Sequence, residues 1–161
     1  MSVSTRLQEF LDTGQAPYES RTHRTAYTAA EVAEAMHIPG KEMAKTVIVN
    51  ADGMLRMAVL PANQMLNLHH LQWVMRSDNI RLATEGEFKD AFPDCELGAM
   101  PPFGNLFGMS VYCDTRLANN DFIEFNGGTH TDTVRMLFTE FKRLARPTMI
   151  DLVEHRPSRA A

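Results

Sequence analysis

The sequence predicts a mixed α+β fold, with helices around a curved, mainly antiparallel sheet. Three observations carry that expectation. Asp52-Gly53 separates two β-branched and apolar runs, residues 44–49 and 55–60, which is the strongest hairpin signal in the chain. Segments with helical apolar spacing and capping residues stand between such runs rather than in a separate block. Hairpin-linked strands interspersed with helices favour antiparallel pairing over regular βαβ units.

The elements follow in order. Leu7, Phe10 and Leu11 recur at helical spacing, and Gly14 stops that helix. Residues 18–22 read as a short strand. Thr28 caps a second helix with Glu31 as the reciprocal partner of a capping box; Val32, Ala35 and Met36 form its apolar side, and Pro39-Gly40 ends it. The hairpin comes next. Residues 67–76 then read as a helix, and 85–92 as a shorter one stopped by Pro93. Strands are expected at 108–113 and 121–125, separated by residues 114–117. A further strand is expected at 129–136, a helix at 138–144 and an edge strand at 149–153.

Composition limits the class. With 161 residues, 44% of them hydrophobic, the chain has enough length for one ordinary core, and no linker, repeat or low-complexity run divides it. The expectation is therefore a single domain, 1–161, with its core at about 20–145. No stretch approaches the roughly 18 apolar residues of a membrane helix. The first ten residues lack the continuous apolar segment of a signal peptide. Cys95 and Cys113 fit no CxxC spacing and are too few for a disulfide framework, so a reduced, cytoplasmic protein with both cysteines in or near the core is expected. The 11 methionines, Met54, Met57 and Met65 among them, read as core filling. A net charge of −4 argues against a protein that grips long nucleic-acid backbone, but not against one that touches only a terminus. The tail from Arg156 reads as a frayed terminus.

Three groups of residues could carry chemistry. Gly98-Ala99-Met100-Pro101-Pro102-Phe103-Gly104 is too rich in breakers for a helix or central strand. It is either a stiff connecting turn or a shaped loop presenting backbone amides to a small molecule. Lys45 opens an apolar strand, where desolvation favours turning its ammonium toward solvent or a partner. His130 follows Gly127-Gly128-Thr129, read as a compact turn; its ring either bonds a neighbouring strand or lines a pocket, with Asp132 placed to orient it. Adjacent His69 and His70 are poor metal-ligand geometry, the glycine pair lacks a P-loop ending, and no GxSxG is present. No metal or organic cofactor is implied.

The AxEVAxAxxxPG and AKTVIV segments from residues 29 to 49, the Gly98-x-x-x-Pro102 loop and the GGTH segment at 127–130 occur in an order that resembles the YbaK/prolyl-tRNA-synthetase-associated domain family. The resemblance spans roughly residues 20–145. It implies a partly barrel-like mixed sheet with a pocket at one rim and an aminoacyl-tRNA deacylase activity on mischarged tRNA. The partner it implies is the acylated 3′ end of that tRNA, with an aminoacyl-tRNA synthetase as a possible second. Lys45, Gly98, Pro102 and His130 are the implied catalytic group. Thr46, Ala99, Met100, Pro101, Phe103, Gly104 and Asp132 are the implied substrate contacts. The extra Pro101 and the following Phe103-Gly104-Asn105 fit a subgroup variant. A non-catalytic binding module for aminoacyl-tRNA ends or nucleotides, or a small-metabolite hydrolase, are the alternatives on the same fold.

Overall fold

A computed structural model describes residues 2–155; the tail from Arg156 lies outside the described residues. The chain runs α1 (Thr5–Thr13), β1 (Tyr18–Thr22), α2 (Ala29–Met36), β2 (Ala44–Ala51), β3 (Met54–Pro61), α3 (Leu68–Met75), β4 (Ile80–Leu82), α4 (Glu85–Phe88), β5 (Val111–Asp114), β6 (Phe122–Thr129), β7 (Asp132–Leu137), α5 (Phe138–Ala145) and β8 (Thr148–Ile150). The strands form a three-stranded sheet, β1-β7-β6, and a five-stranded one, β4-β2-β3-β5-β8. Four of the six pairings are antiparallel; β3–β5 and β5–β8 are parallel. Among the described residues no ladder closes either sheet, so the barrel-like part of the expectation is not seen.

The β2–β3 hairpin forms where Asp-Gly places it. Asp52 and Gly53 both take positive φ, +54° and +87°, as a two-residue turn of the type matched to strand twist requires. Strand alternation then divides β2 between two cores. Ala44 and Ile48 join the main core with Leu7, Leu11, Ile123, Phe125, Val134 and Phe141. Val47 and Val49 face a second cluster built on Leu71 of α3, Ala58 and Leu152. At the centre of the main core, the Phe103 ring lies 5.4 Å from Phe10, 5.5 Å from Phe125 and 5.3 Å from Phe141.

Several local expectations need correcting. Thr28 Oγ1 accepts from the Glu31 amide, but the Glu31 carboxylate takes the Thr28 hydroxyl instead of the backbone N–H, so that box is half formed. The complete box lies one helix pair later, at Thr84 and Glu87. Helix α2 buries Val32 and Ala33 rather than Ala35, and ends at a left-handed His37 before Pro39 is reached. Met57 is buried, whereas Met54 and Met65 are exposed. Strand β4 has no counterpart in the sequence reading. Both cysteines are free, with Cys113 buried and Cys95 partly so.

The two sheets meet at one rung. Met43, just before β2, makes a parallel bridge to Glu124 of β6, and the Glu124 amide donates to the Glu42 carbonyl at 2.9 Å. No further ladder joins β2 to β6 among the described residues.

Candidate functional site

The proline loop is a turn sewn to the far end of β6. Ala99 N–H donates to Glu96 O at 3.0 Å, so Leu97 and Gly98 are the turn's central residues. Gly98 takes φ +89°, which suits glycine at the third position of such a turn. Glu96 N–H donates to Gly128 O at 2.8 Å and Gly128 N–H to Ala99 O at 3.0 Å, fixing the turn along the strand edge. Gly98 is exposed at the apex, and its amide meets only the Met100 Sδ at 3.1 Å, a weak acceptor. From Ala99 to Gly104 the loop is buried. Ala99, Met100 and Phe103 supply anchorage, Phe103 with no exposed surface at all. A Cβ on Gly104 would stand 2.7 Å from both the Met109 carbonyl and Val111 Cγ2, so close packing accounts for that glycine.

His130 sits one step away. Strand β6 runs on through Gly127, Gly128 and Thr129, with a register irregularity after Asn126, and the reversal falls at His130-Thr131 instead of at the glycines. The His130 side chain keeps 13% of its surface exposed. Its amide donates to Glu96 Oε1 at 3.3 Å, its carbonyl accepts from Ala26 N–H at 3.1 Å, and its ring lies 4.9 Å from that of Tyr27. A Cβ at Gly98 would be 3.6 Å from His130 Cε1 and 3.9 Å from the Tyr27 carbonyl. The fold thus brings Gly98 and His130 together and adds Tyr27 and Glu96, which the sequence did not single out. Asp132 does not orient the ring. It is buried and accepts the hydroxyls of Thr129, at 2.5 Å, and Thr131, at 3.1 Å.

Lys45 approaches from β2. Its half-buried ammonium donates to the Gln64 carbonyl at 2.5 Å, and burial holds its pKa below the ordinary lysine value. Thr46 falls on the other face, with Ala44 and Ile48. Directly paired residues of parallel strands project to the same side. The Met43–Glu124 bridge therefore puts Lys45 and Asn126, each two residues on, on one face of neighbouring strands. The edge of β6 is shared accordingly: Glu42 binds it at Glu124, the proline loop binds it at Gly128, and Asn126 lies between. Beside Asn126 the fully buried Glu124 carboxylate takes the Arg21 guanidinium through two hydrogen bonds and the Thr133 hydroxyl at 2.6 Å, with Arg135 at 3.7 Å. Arg21 is engaged internally with Glu124, and Arg143 with Glu140 and the Gly14 carbonyl.

Among the described residues, no group of three His, Cys, Asp or Glu side chains could hold a metal ion. A concavity of about 750 Å³ lies elsewhere, on α3 beside Trp73 and Arg76. Among the described residues, no helix is long and apolar enough to cross a membrane.

Residues 23–144 match the family model described as the aminoacyl-tRNA editing domain. The chain belongs to that family. Over 132 residues it is 26% identical to a proline–tRNA ligase of Leuconostoc citreum (strain KM20), a match that takes in 82% of this chain but only 23% of the ligase. Solved structures repeat the fold. A candidate trans-editing enzyme for prolyl tRNA synthetase superposes with a TM-score of 0.80 at 22% identity, covering 93% of this chain and 96% of that one. A hypothetical protein superposes with a TM-score of 0.83 at 19% identity, covering 92% and 99%. An editing-domain chain therefore carries the cluster formed by Gly98, His130 and Tyr27.

Proposed function

We propose that this chain is an aminoacyl-tRNA deacylase, editing in trans by hydrolysing the ester between a wrong amino acid and the tRNA 3′ end. The observation that carries the reading is the exposed Gly98 apex set against His130 and Tyr27. An attacking oxygen adds to the ester carbonyl carbon, the carbonyl oxygen takes negative charge, and the bond to the ribose oxygen breaks with a proton delivered to that oxygen. The Gly98 amide, held at 3.1 Å by the Met100 thioether, a weak acceptor, exchanges that contact for the developing oxyanion. Pro101 and Pro102, both buried, hold the loop in place.

The Lys45 ammonium has further donors beyond the one given to Gln64, and positions a phosphate or carbonyl as a point charge. Ester hydrolysis needs no imine, so no Schiff base is invoked. His130 lines the acyl side within reach of a proton in transit. Editing of this kind adds selectivity where one methylene distinguishes amino acids by only about 1–3 kcal/mol. A synthetase partner is compatible with this role.

Deacylation of a panel of mischarged tRNAs by the purified chain tests the reading. Release of amino acid from at least one member, abolished by Lys45→Ala in a folded protein, is expected. Saturable binding of aminoacylated ends without turnover would replace the deacylase with a binding module, and hydrolysis confined to small esters would replace it with a metabolite hydrolase.

A further inference from the structure

The turn that presents Gly98 also delivers a carboxylate to His130. Glu96 is the first residue of that turn, and its carbonyl accepts the Ala99 N–H at 3.0 Å. The Glu96 side chain touches His130 twice: Oε1 accepts the backbone amide at 3.3 Å, and Oε2 stands 3.8 Å from the ring Nε2. No Lys or Arg pairs with this carboxylate among the described residues, so His130 is its one charge partner there. The side chain keeps 36% of its surface exposed, against 13% for His130, so the pair stands at the open rim of the cluster rather than in the core.

The rest of the ring is bounded as well. The Tyr27 ring packs against it, 4.9 Å between centroids with 57° between the planes. Cε1 faces Gly98, 3.6 Å from where a Cβ would stand. In an imidazole Cε1 lies between the two nitrogens, so with Nε2 on the Glu96 side, Nδ1 is the nitrogen left for a ligand. Neither nitrogen has a hydrogen-bond partner among the described residues. At 3.8 Å the Nε2 contact is too long for a hydrogen bond to a neutral ring, yet within reach of an ion pair that tightens once the ring is charged.

We propose that Glu96 is a positioning residue for His130: its carboxylate holds the ring by Nε2, turns Nδ1 to the ester and stabilises the imidazolium formed in the reaction. This inference rests on the deacylase reading above. Nδ1 takes a proton from the attacking water as the water oxygen bonds to the carbonyl carbon and the carbonyl oxygen becomes negative. The carbonyl then re-forms, the bond to the ribose oxygen breaks, and the imidazolium gives its proton to that oxygen, leaving the ring neutral. Between those steps the ring is a cation with Glu96 as the anion beside it, and a carboxylate so placed both orients an imidazole and favours its charged form.

Glu96→Gln tests this, because it keeps an oxygen for the His130 amide and removes the charge. On a mischarged tRNA that wild type cleaves, kcat should fall about tenfold or more, with KM within about threefold and the melting temperature unchanged. In a His130→Ala background the same substitution should change kcat by less than about threefold, since the residue it acts through is gone. Full activity in Glu96→Gln, a loss carried by KM alone, or an equal loss with His130 absent would overturn the inference; the last would make Glu96 a direct substrate contact. A second readout needs no turnover. At about pH 5, between the ordinary carboxylate and imidazole values, the His130 Nε2–H should give a slowly exchanging NMR resonance in wild type that is lost in Glu96→Gln. Equal exchange in the two proteins would refute the contact. If wild type cleaves no ester, the deacylase reading fails and this resonance alone decides the role of Glu96; it decides equally if His130→Ala turns over too slowly to measure.

Discussion

Gly98→Ala separates backbone strain from site geometry, because the fold supplies its own control. Gly98 and Gly53 hold nearly the same φ, +89° and +87°. A side chain there costs about 1–3 kcal/mol in strain, offset by roughly 0.4–1 kcal/mol from restricting the unfolded chain. The net loss is about 1–2 kcal/mol for either substitution, or roughly 2–8 °C in melting temperature for a chain of this length. Sterics add little in either place. The new methyl would meet nothing within 4 Å at Gly53, and would make an ordinary 3.6 Å contact with His130 Cε1 at Gly98. That contact, however, lies where the proposed deacylase would seat the acyl group. Urea and thermal unfolding should therefore place the two variants within about 0.5 kcal/mol of each other. Deacylation kcat/KM should fall about 10- to 100-fold in Gly98→Ala alone. Equal losses of activity in the two variants, or full activity in a folded Gly98→Ala, would refute the placement of the ester beside His130.

Phe103→Ala should cost about 3–5 kcal/mol in urea unfolding, because it empties the centre of an aromatic cluster; a loss under 1 kcal/mol would restore Phe103 as a ligand contact. Arg21→Met leaves Glu124 buried with Thr133 and a more distant Arg135, so a loss of about 2–3 kcal/mol is expected, largely recovered in the double variant with Glu124→Gln. For Lys45 the sign follows from burial. Its folded pKa lies below 10.5, so the penalty on the charged form is full below the folded pKa and gone above 10.5. Lys45→Met should thus be at least as stable as wild type at pH 7, with any advantage shrinking as pH approaches 10.5; an advantage that grows with pH would contradict the direction. Burial, together with Asp94 beside Cys95 and Asp114 beside Cys113, pushes both thiols up to about 12, so iodoacetamide labelling of the native protein at pH 8 should be slow at each.

The sequence makes much of this fold legible where local chemistry decides. Asp52-Gly53 specifies its hairpin, and Thr28 caps the helix that follows it. It fails where long-range packing decides. Strand β4 has three residues and no alternation to read; it exists because β2 offers it an edge. The glycines at 127 and 128 look like a turn, but Val3 and Ser4 of the N-terminal segment need close approach to a strand there: a Cβ would stand 3.0 Å from Val3 Cγ2 at Gly127 and 2.9 Å from Ser4 Cβ at Gly128. At the site, Gly98 and His130 stand out by residue type and order. Asn126 does not, since an asparagine before two glycines reads as turn chemistry. Only the fold shows that its amide oxygen is buried without a partner.

The pairing of Tyr18 with Met136 and of Thr22 with Asp132 has a consequence for the order in which the chain can be built. During synthesis, the β2–β3 hairpin is available once Pro61 has emerged. Strand β1 waits for a partner more than a hundred residues later, and the rung at Glu124 comes only shortly before it. Contacts so distant in sequence form slowly because a long loop must close first. Until β6 and β7 arrive, Gly98, Lys45 and Tyr27 belong to unconnected parts of the nascent chain. The Gly98–His130–Tyr27 cluster is completed among the last features of the molecule to form.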